Sequence, residues 1–136
     1  MPPLKTYDLF ISHAWTYNDE YYRLIGLLNA ASNFKYRNYS VPEHDPLGTR
    51  TGQQLWQALE RQIRPVNCVL VLAGMYANHR DWMKAEIEIA QSFGKPIVGI
   101  KPRGQQRTPV EVQNAAKAMV GWTTASIVQA IRAYSS

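Results

Sequence analysis

Two glutamates stand two residues apart, at Glu86 and Glu88, in the stretch HRDWMKAEIEIAQSFGKP. A carboxylate can hold hydroxyls, take protons or stabilise developing positive charge, so what it faces decides its use. Wound as a helix at about 100° per residue with Trp82 at zero, Phe93 falls at about 20°, Glu86 at about 40°, Ala90 at about 80° and Met83 at about 100°. Ile89 and Ala85 lie on the other flank of Trp82. Lys84, Gln91 and Glu88 gather on the far side. Glu88 therefore occupies the polar face, where an amphipathic helix places a carboxylate. Glu86 falls inside the apolar arc, one turn from Trp82 on the same face. Two readings follow. Glu86 is a carboxylate on the wall of a ligand pocket beside an indole, or a glutamate near a helix N-terminus that snorkels to water.

Other residue pairs point to less. Ser12 and His13 are adjacent at a strand end and so point to opposite faces, which does not make a nucleophile–base couple. His13, His44 and His79 lack metal-ligand spacing, so no metal site is expected. Neither a GxGxxG nor a P-loop occurs, which leaves dinucleotide dehydrogenases and NTPases without support. A phosphoacceptor receiver domain needs acidic residues after the first and third strands. Those places hold Ser12-His13 and Ala73-Gly74.

The elements that position these residues alternate regularly. YDLFIS (Tyr7–Ser12) reads as a strand. Tyr21, Leu24, Ile25 and Leu28 follow at the i, i+3, i+4, i+7 spacing of a helix. YSVPE (Tyr39–Glu43) is expected as a short second strand, confined by Pro42 to an edge or an end. HDPLGTRTGQ is a turn-rich loop, and Thr51 is placed to cap a helix carrying Leu55, Leu59 and Ile63. CVLVLA (Cys68–Ala73) is a continuous apolar run of the kind buried parallel strands have. The glutamate helix comes next, starting near Arg80 or Asp81 and ended by Gly94 and Pro96. PIVGI (Pro96–Ile100) and AMVGW (Ala118–Trp122) complete five strands. Thr123 or Thr124 caps a last helix. This predicts one α/β domain over residues 1–136, flavodoxin-like, with a five-stranded parallel sheet in the order 2-1-3-4-5 and helices on both faces. Ligands of such folds bind beyond the carboxyl ends of the strands where the order reverses, here between strands one and three. Glu86 is expected within about two helical turns of that rim.

Bulk properties set outer limits. A chain of 136 residues, 46% hydrophobic and 18% charged, is a globular domain that needs no disulfide or metal to fold. The one cysteine, Cys68, reads as a small core residue. No apolar run reaches membrane-spanning length and no secretory leader is evident, so a cytoplasmic protein is expected, with no membrane partner. The net charge of +5 is spread along the chain, with one local concentration in GIKPRGQQR that reads as a solvated loop or, alternatively, as a contact for phosphates or an acidic partner. No nucleic-acid signature is present, and no nucleic-acid partner is expected.

Several segments resemble a known family. YDLFISHAW is similar to the first strand of Toll/interleukin-1 receptor (TIR) domains. DWMKAEIEIA followed by GKPIVGI resembles their third helix and fourth strand, with the Trp-x-x-x-Glu pair at Trp82 and Glu86. FISHAW and NYSVPEHDPL are similar to the stand-alone TIR-like ThsB proteins of bacterial Thoeris anti-phage systems. The resemblance covers nearly the whole chain, and NYSVPEHDPL is its most specific part. It implies an enzyme that cleaves NAD+ between nicotinamide and ribose, with NAD+ as substrate and no further cofactor. The product would be a cyclic or otherwise modified ADP-ribose signal that activates a partner effector during infection, with self-assembly or a phage-derived trigger switching the protein on. It also implies that Glu86 is catalytic, and that Phe10, Ser12, His13 and Trp15, Asp45, Pro46 and Leu47, and Trp82 border the substrate. The HDPLGTR loop is shorter than in receptor-type TIR domains and is a candidate lid or subunit contact. Two rival readings stay open: a non-catalytic TIR-like interaction module, and another N-glycosidic enzyme of the nucleoside deoxyribosyltransferase kind.

Overall fold

The structure is a computed structural model, and it describes residues 5–12, 19–39, 52–76, 80–104 and 107–135. The elements run β1 (Thr6–Ser12), α1 (Asp19–Asn29), β2 (Lys35–Asn38), α2 (Gly52–Ile63), β3 (Cys68–Leu72), α3 (Ala73–Tyr76), α4 (Arg80–Ser92), β4 (Ile97–Ile100), α5 (Val110–Ala115), β5 (Ala118–Val120) and α6 (Thr124–Tyr134). The five strands form one sheet in the order β2-β1-β3-β4-β5, and every pairing is parallel. This is the expected order. β3 occupies the middle and is buried throughout, and β1 beside it is an interior strand whose Leu9, Phe10, Ile11 and Ser12 are all buried. Side chains that dislike water on both faces of a strand require a layer of helices on each side. One layer holds α1 and α6 in contact, and the other holds α2 against α4, with α4 also reaching β1.

The apolar arc of α4 turns inward as the wheel required. Met83, Ile87, Ile89 and Ala90 are buried, while Lys84, Glu88 and Gln91 are exposed. Full burial of side chains such as Met83 and Ile89 contributes roughly 1.5–3 kcal/mol each, which docks α4 firmly on the sheet. The helix stops at a Schellman turn. Gly94 adopts φ +66°, its N–H donates to the Gln91 carbonyl at 3.0 Å, and the Lys95 N–H donates to the Ala90 carbonyl at 2.9 Å. Pro96 then feeds β4. At the other end of the chain, Thr123 caps α6 by accepting the Ser126 N–H at 3.2 Å.

The second strand is displaced from its expected place. It runs over Lys35–Asn38 rather than Tyr39–Glu43, and only Tyr39 of the expected strand is described, donating its N–H to the Leu9 carbonyl at 2.8 Å. β2 is an edge strand, so its backbone supplies the pairing and its side chains need not be apolar. Lys35, Arg37 and Asn38 are exposed; Tyr36 stacks on Phe34, and Arg37 pairs with Asp8 across the ladder. Two short helices were also not foreseen. α3 forms one turn where a rim loop was expected. α5 is six residues long and buries Val112, too little for a periodic signal. Lys101, Arg103 and Arg107 of the basic segment are exposed, as a solvated loop requires. No helix among the described residues is long and apolar enough to cross a membrane.

Candidate functional site

β1 ends at Ser12, and α4 lies over the sheet beside it. The Ser12 hydroxyl donates to Glu86 Oε1 at 2.7 Å. Ser12 is fully buried and Glu86 is 1% exposed; they are the buried polar side chains among the described residues. Glu86 is therefore neither a surface group nor a snorkelling one. Its carboxylate points at the carboxyl end of β1, and β1 lies between β2 and β3 in the sheet. The chain passes from β1 to one neighbour and returns to β3 on the other side, so this is the switch point of the fold. A hydroxyl–carboxylate bond of this length, out of water, holds the carboxylate in one orientation.

The other expected site residues divide by position. Phe10 lies two residues before Ser12, on the same face of β1, and is fully buried in the core. Trp82 sits on α4 one turn before Glu86, and its side chain lies outside the described part of the structure. His13, Trp15, Asp45, Pro46 and Leu47 also lie outside the described residues, as do Thr51, the HDPLGTR loop and most of NYSVPEHDPL.

A second carboxylate approaches the same edge of the sheet from the opposite layer. Glu20, in the first turn of α1, lies against α3 and the segment after β4. A Cβ added to Gly74 would stand 3.4 Å from both Glu20 carboxylate oxygens and 3.4 Å from the Pro102 Cα. Gly74 thus leaves a recess that the carboxylate enters. Glu20 Oε2 is buried there with no hydrogen-bond partner among the described residues. Burial pushes the Glu20 acid above its ordinary value, and the charges of Arg103 and Arg23 pull the other way less strongly. Sequence reasoning passed over Glu20 because an acid in a first helical turn is ordinary. The available signal was its place directly after the β1 rim, together with a glycine after β3.

Geometry alone gives a sheet edge with a buried hydroxyl–carboxylate pair, a second carboxylate beside Gly74, and no nucleophile–base couple among the described residues. The family model of the Thoeris protein ThsB, TIR-like domain, matches residues 10–107. The chain belongs to the ThsB TIR-like family. The match spans well over half of the chain, and Ser12, Glu20, Gly74 and Glu86 all fall inside it. The family sets the chain in the context of an anti-phage defence system. A comparison with curated proteins gives no match.

Proposed function

We propose that this protein is an NAD+-cleaving TIR enzyme that, on phage infection, converts NAD+ to nicotinamide and a cyclic or otherwise modified ADP-ribose, which activates a partner effector. The observation that carries the reading is the buried Ser12–Glu86 pair at the switch point. Nicotinamide in NAD+ is a cation and leaves neutral. When the C1′–N bond breaks, its electron pair returns to the pyridine nitrogen, so no general acid is needed. An ordinary glycosidase needs a second carboxylate because its leaving group must be protonated. One fixed carboxylate suffices here, stabilising the positive charge that grows on the ribose. Ser12 acts through Glu86, as a positioning residue that holds the carboxylate oriented. The ribose cation is then captured by a nucleophilic atom of the same ADP-ribose, which loses its proton, or by water. A cyclic product requires that water be kept out.

Glu86 is covered in this state, so substrate must displace what covers it before the carboxylate can act. That fits an enzyme that waits for self-assembly or an infection-derived trigger. The reading places the protein in the cytoplasm, with NAD+ as substrate, no further cofactor, and an effector reached through the product.

Mass spectrometry of NAD+ incubated with the purified protein, with and without phage-infected lysate, tests this. Wild type is expected to release nicotinamide and an ADP-ribose-derived product. Glu86→Gln, which keeps an oxygen to accept from Ser12, is expected to fold and release neither. Survival of NAD+ in every sample would refute the enzyme and advance the interaction-module reading. Cleavage of nucleosides with NAD+ untouched would advance the deoxyribosyltransferase reading.

A further inference from the structure

Glu20 has no part in the bond-breaking step, yet the fold shields one of its oxygens from water. That oxygen is buried without a partner among the described residues, in a recess formed by Gly74 of α3 and Pro102 after β4. A buried acceptor left unsatisfied lowers stability, and such groups in folded proteins mark places where something else completes the bonding. The recess lies at the carboxyl edge of β3 and β4, next to the edge where Ser12 holds Glu86. The two carboxylates come from opposite layers: Glu86 from the α2–α4 side, Glu20 from the α1–α6 side. A ligand spanning the edge would meet one carboxylate on each side. NAD+ has two riboses, and only one of them carries the scissile bond. A carboxylate is a fitting acceptor for ribose hydroxyls and repels a phosphate in their place.

We propose that Glu20 is a specificity residue of this site, accepting from a hydroxyl of the adenosine ribose and selecting NAD+ over its 2′-phosphorylated counterpart. This rests on the NAD+-cleaving reading. Gly74 serves it by leaving room for the carboxylate. Because Glu20 binds the half of the substrate that does not react, its loss moves KM and leaves kcat in place.

The test is steady-state kinetics with NAD+ and NADP+ for wild type, Glu20→Gln and Gly74→Ala, with melting temperatures at neutral pH and with infected lysate present if turnover needs it. For Glu20→Gln the KM for NAD+ is expected to rise about tenfold, as loss of one charge-assisted hydrogen bond gives. Its kcat should stay within about twofold and its preference for NAD+ over NADP+ should fall. Its melting temperature should equal or exceed that of wild type, because a partly buried carboxylate with a shielded oxygen is replaced by a neutral amide. Gly74→Ala crowds the recess and should raise KM in the same direction, which keeps the test open if the other variant misfolds. Unchanged KM and unchanged NAD+/NADP+ preference in both variants would overturn the inference alone. A fall confined to kcat, with a lower melting temperature, would assign Glu20 a structural role and overturn it too. Wild type that consumes neither dinucleotide would overturn the enzyme reading and this inference with it.

Discussion

Ser12→Ala isolates the contact on which the site reading depends. The variant removes the hydroxyl that Glu86 Oε1 accepts at 2.7 Å and changes little else in volume. Both residues are at most 1% exposed, so water does not replace the lost donor. A hydrogen bond to a charged group contributes roughly 1.5–3 kcal/mol, and about 2 kcal/mol is the expected loss of unfolding free energy. With a urea dependence near 2 kcal/mol per molar, the midpoint should fall by about 1 M. In a Glu86→Gln background the acceptor is a neutral amide oxygen, for which the bond contributes about 1 kcal/mol. The double-mutant cycle should therefore return a coupling of about 1 kcal/mol between the two positions. Turnover of NAD+ by Ser12→Ala should fall through kcat, because the carboxylate is no longer held at its reactive orientation. Equal urea midpoints for wild type and Ser12→Ala, with no coupling in the cycle, would refute the view that Ser12 orients Glu86.

Two further outcomes follow from titratable groups. The folded protein holds the Glu20 acid above its ordinary value of 4.5, so it binds a proton that the unfolded chain has already released. Stability should be fullest below that value and fall as pH rises through the raised one; urea midpoints from about pH 4 to 7 should show this slope, and Glu20→Gln should flatten it. Cys68 is buried at the start of β3, and burial pushes its thiol up to about 12. Iodoacetamide at about pH 8 should leave it unmodified in the native protein and alkylate it in urea, and rapid native labelling would contradict the packing described here.

The strands that carry the core were legible because burial on both faces writes itself as an apolar run, as in Leu9–Ile11 and Cys68–Leu72. Glu86 was legible for the converse reason, as a charge where the wheel demanded none. The partner of Glu86 was not, since Ser12 lies 74 residues away and no local period links them. β2 was misplaced because an edge strand is held by its backbone, and a search for apolar side chains passes over Lys35, Arg37 and Asn38. Glu20 was invisible for a related reason. What distinguishes it is a recess assembled from α1, Gly74 and Pro102, three segments far apart in the chain.

A buried hydroxyl–carboxylate pair is a poor device for fastening a helix to a sheet. Two apolar side chains of similar volume would hold α4 on β1 at least as well, because they need no compensation for lost hydration. The same helix does so with Met83, Ile87 and Ile89. At position 86 it carries a carboxylate instead, and β1 places a hydroxyl within reach of it. Glu20 repeats the pattern from the other layer, with an oxygen that no described residue hydrogen-bonds. The Ser135 hydroxyl is also buried, beside the Cys68 thiol, but it can rotate and carries no charge to desolvate. Both ionisable groups lie toward the carboxyl edge of the sheet, Glu86 against the end of β1 and Glu20 beside Gly74 and Pro102. A structural role for either would have to explain that coincidence. The proposed site for a ligand with two riboses accounts for both.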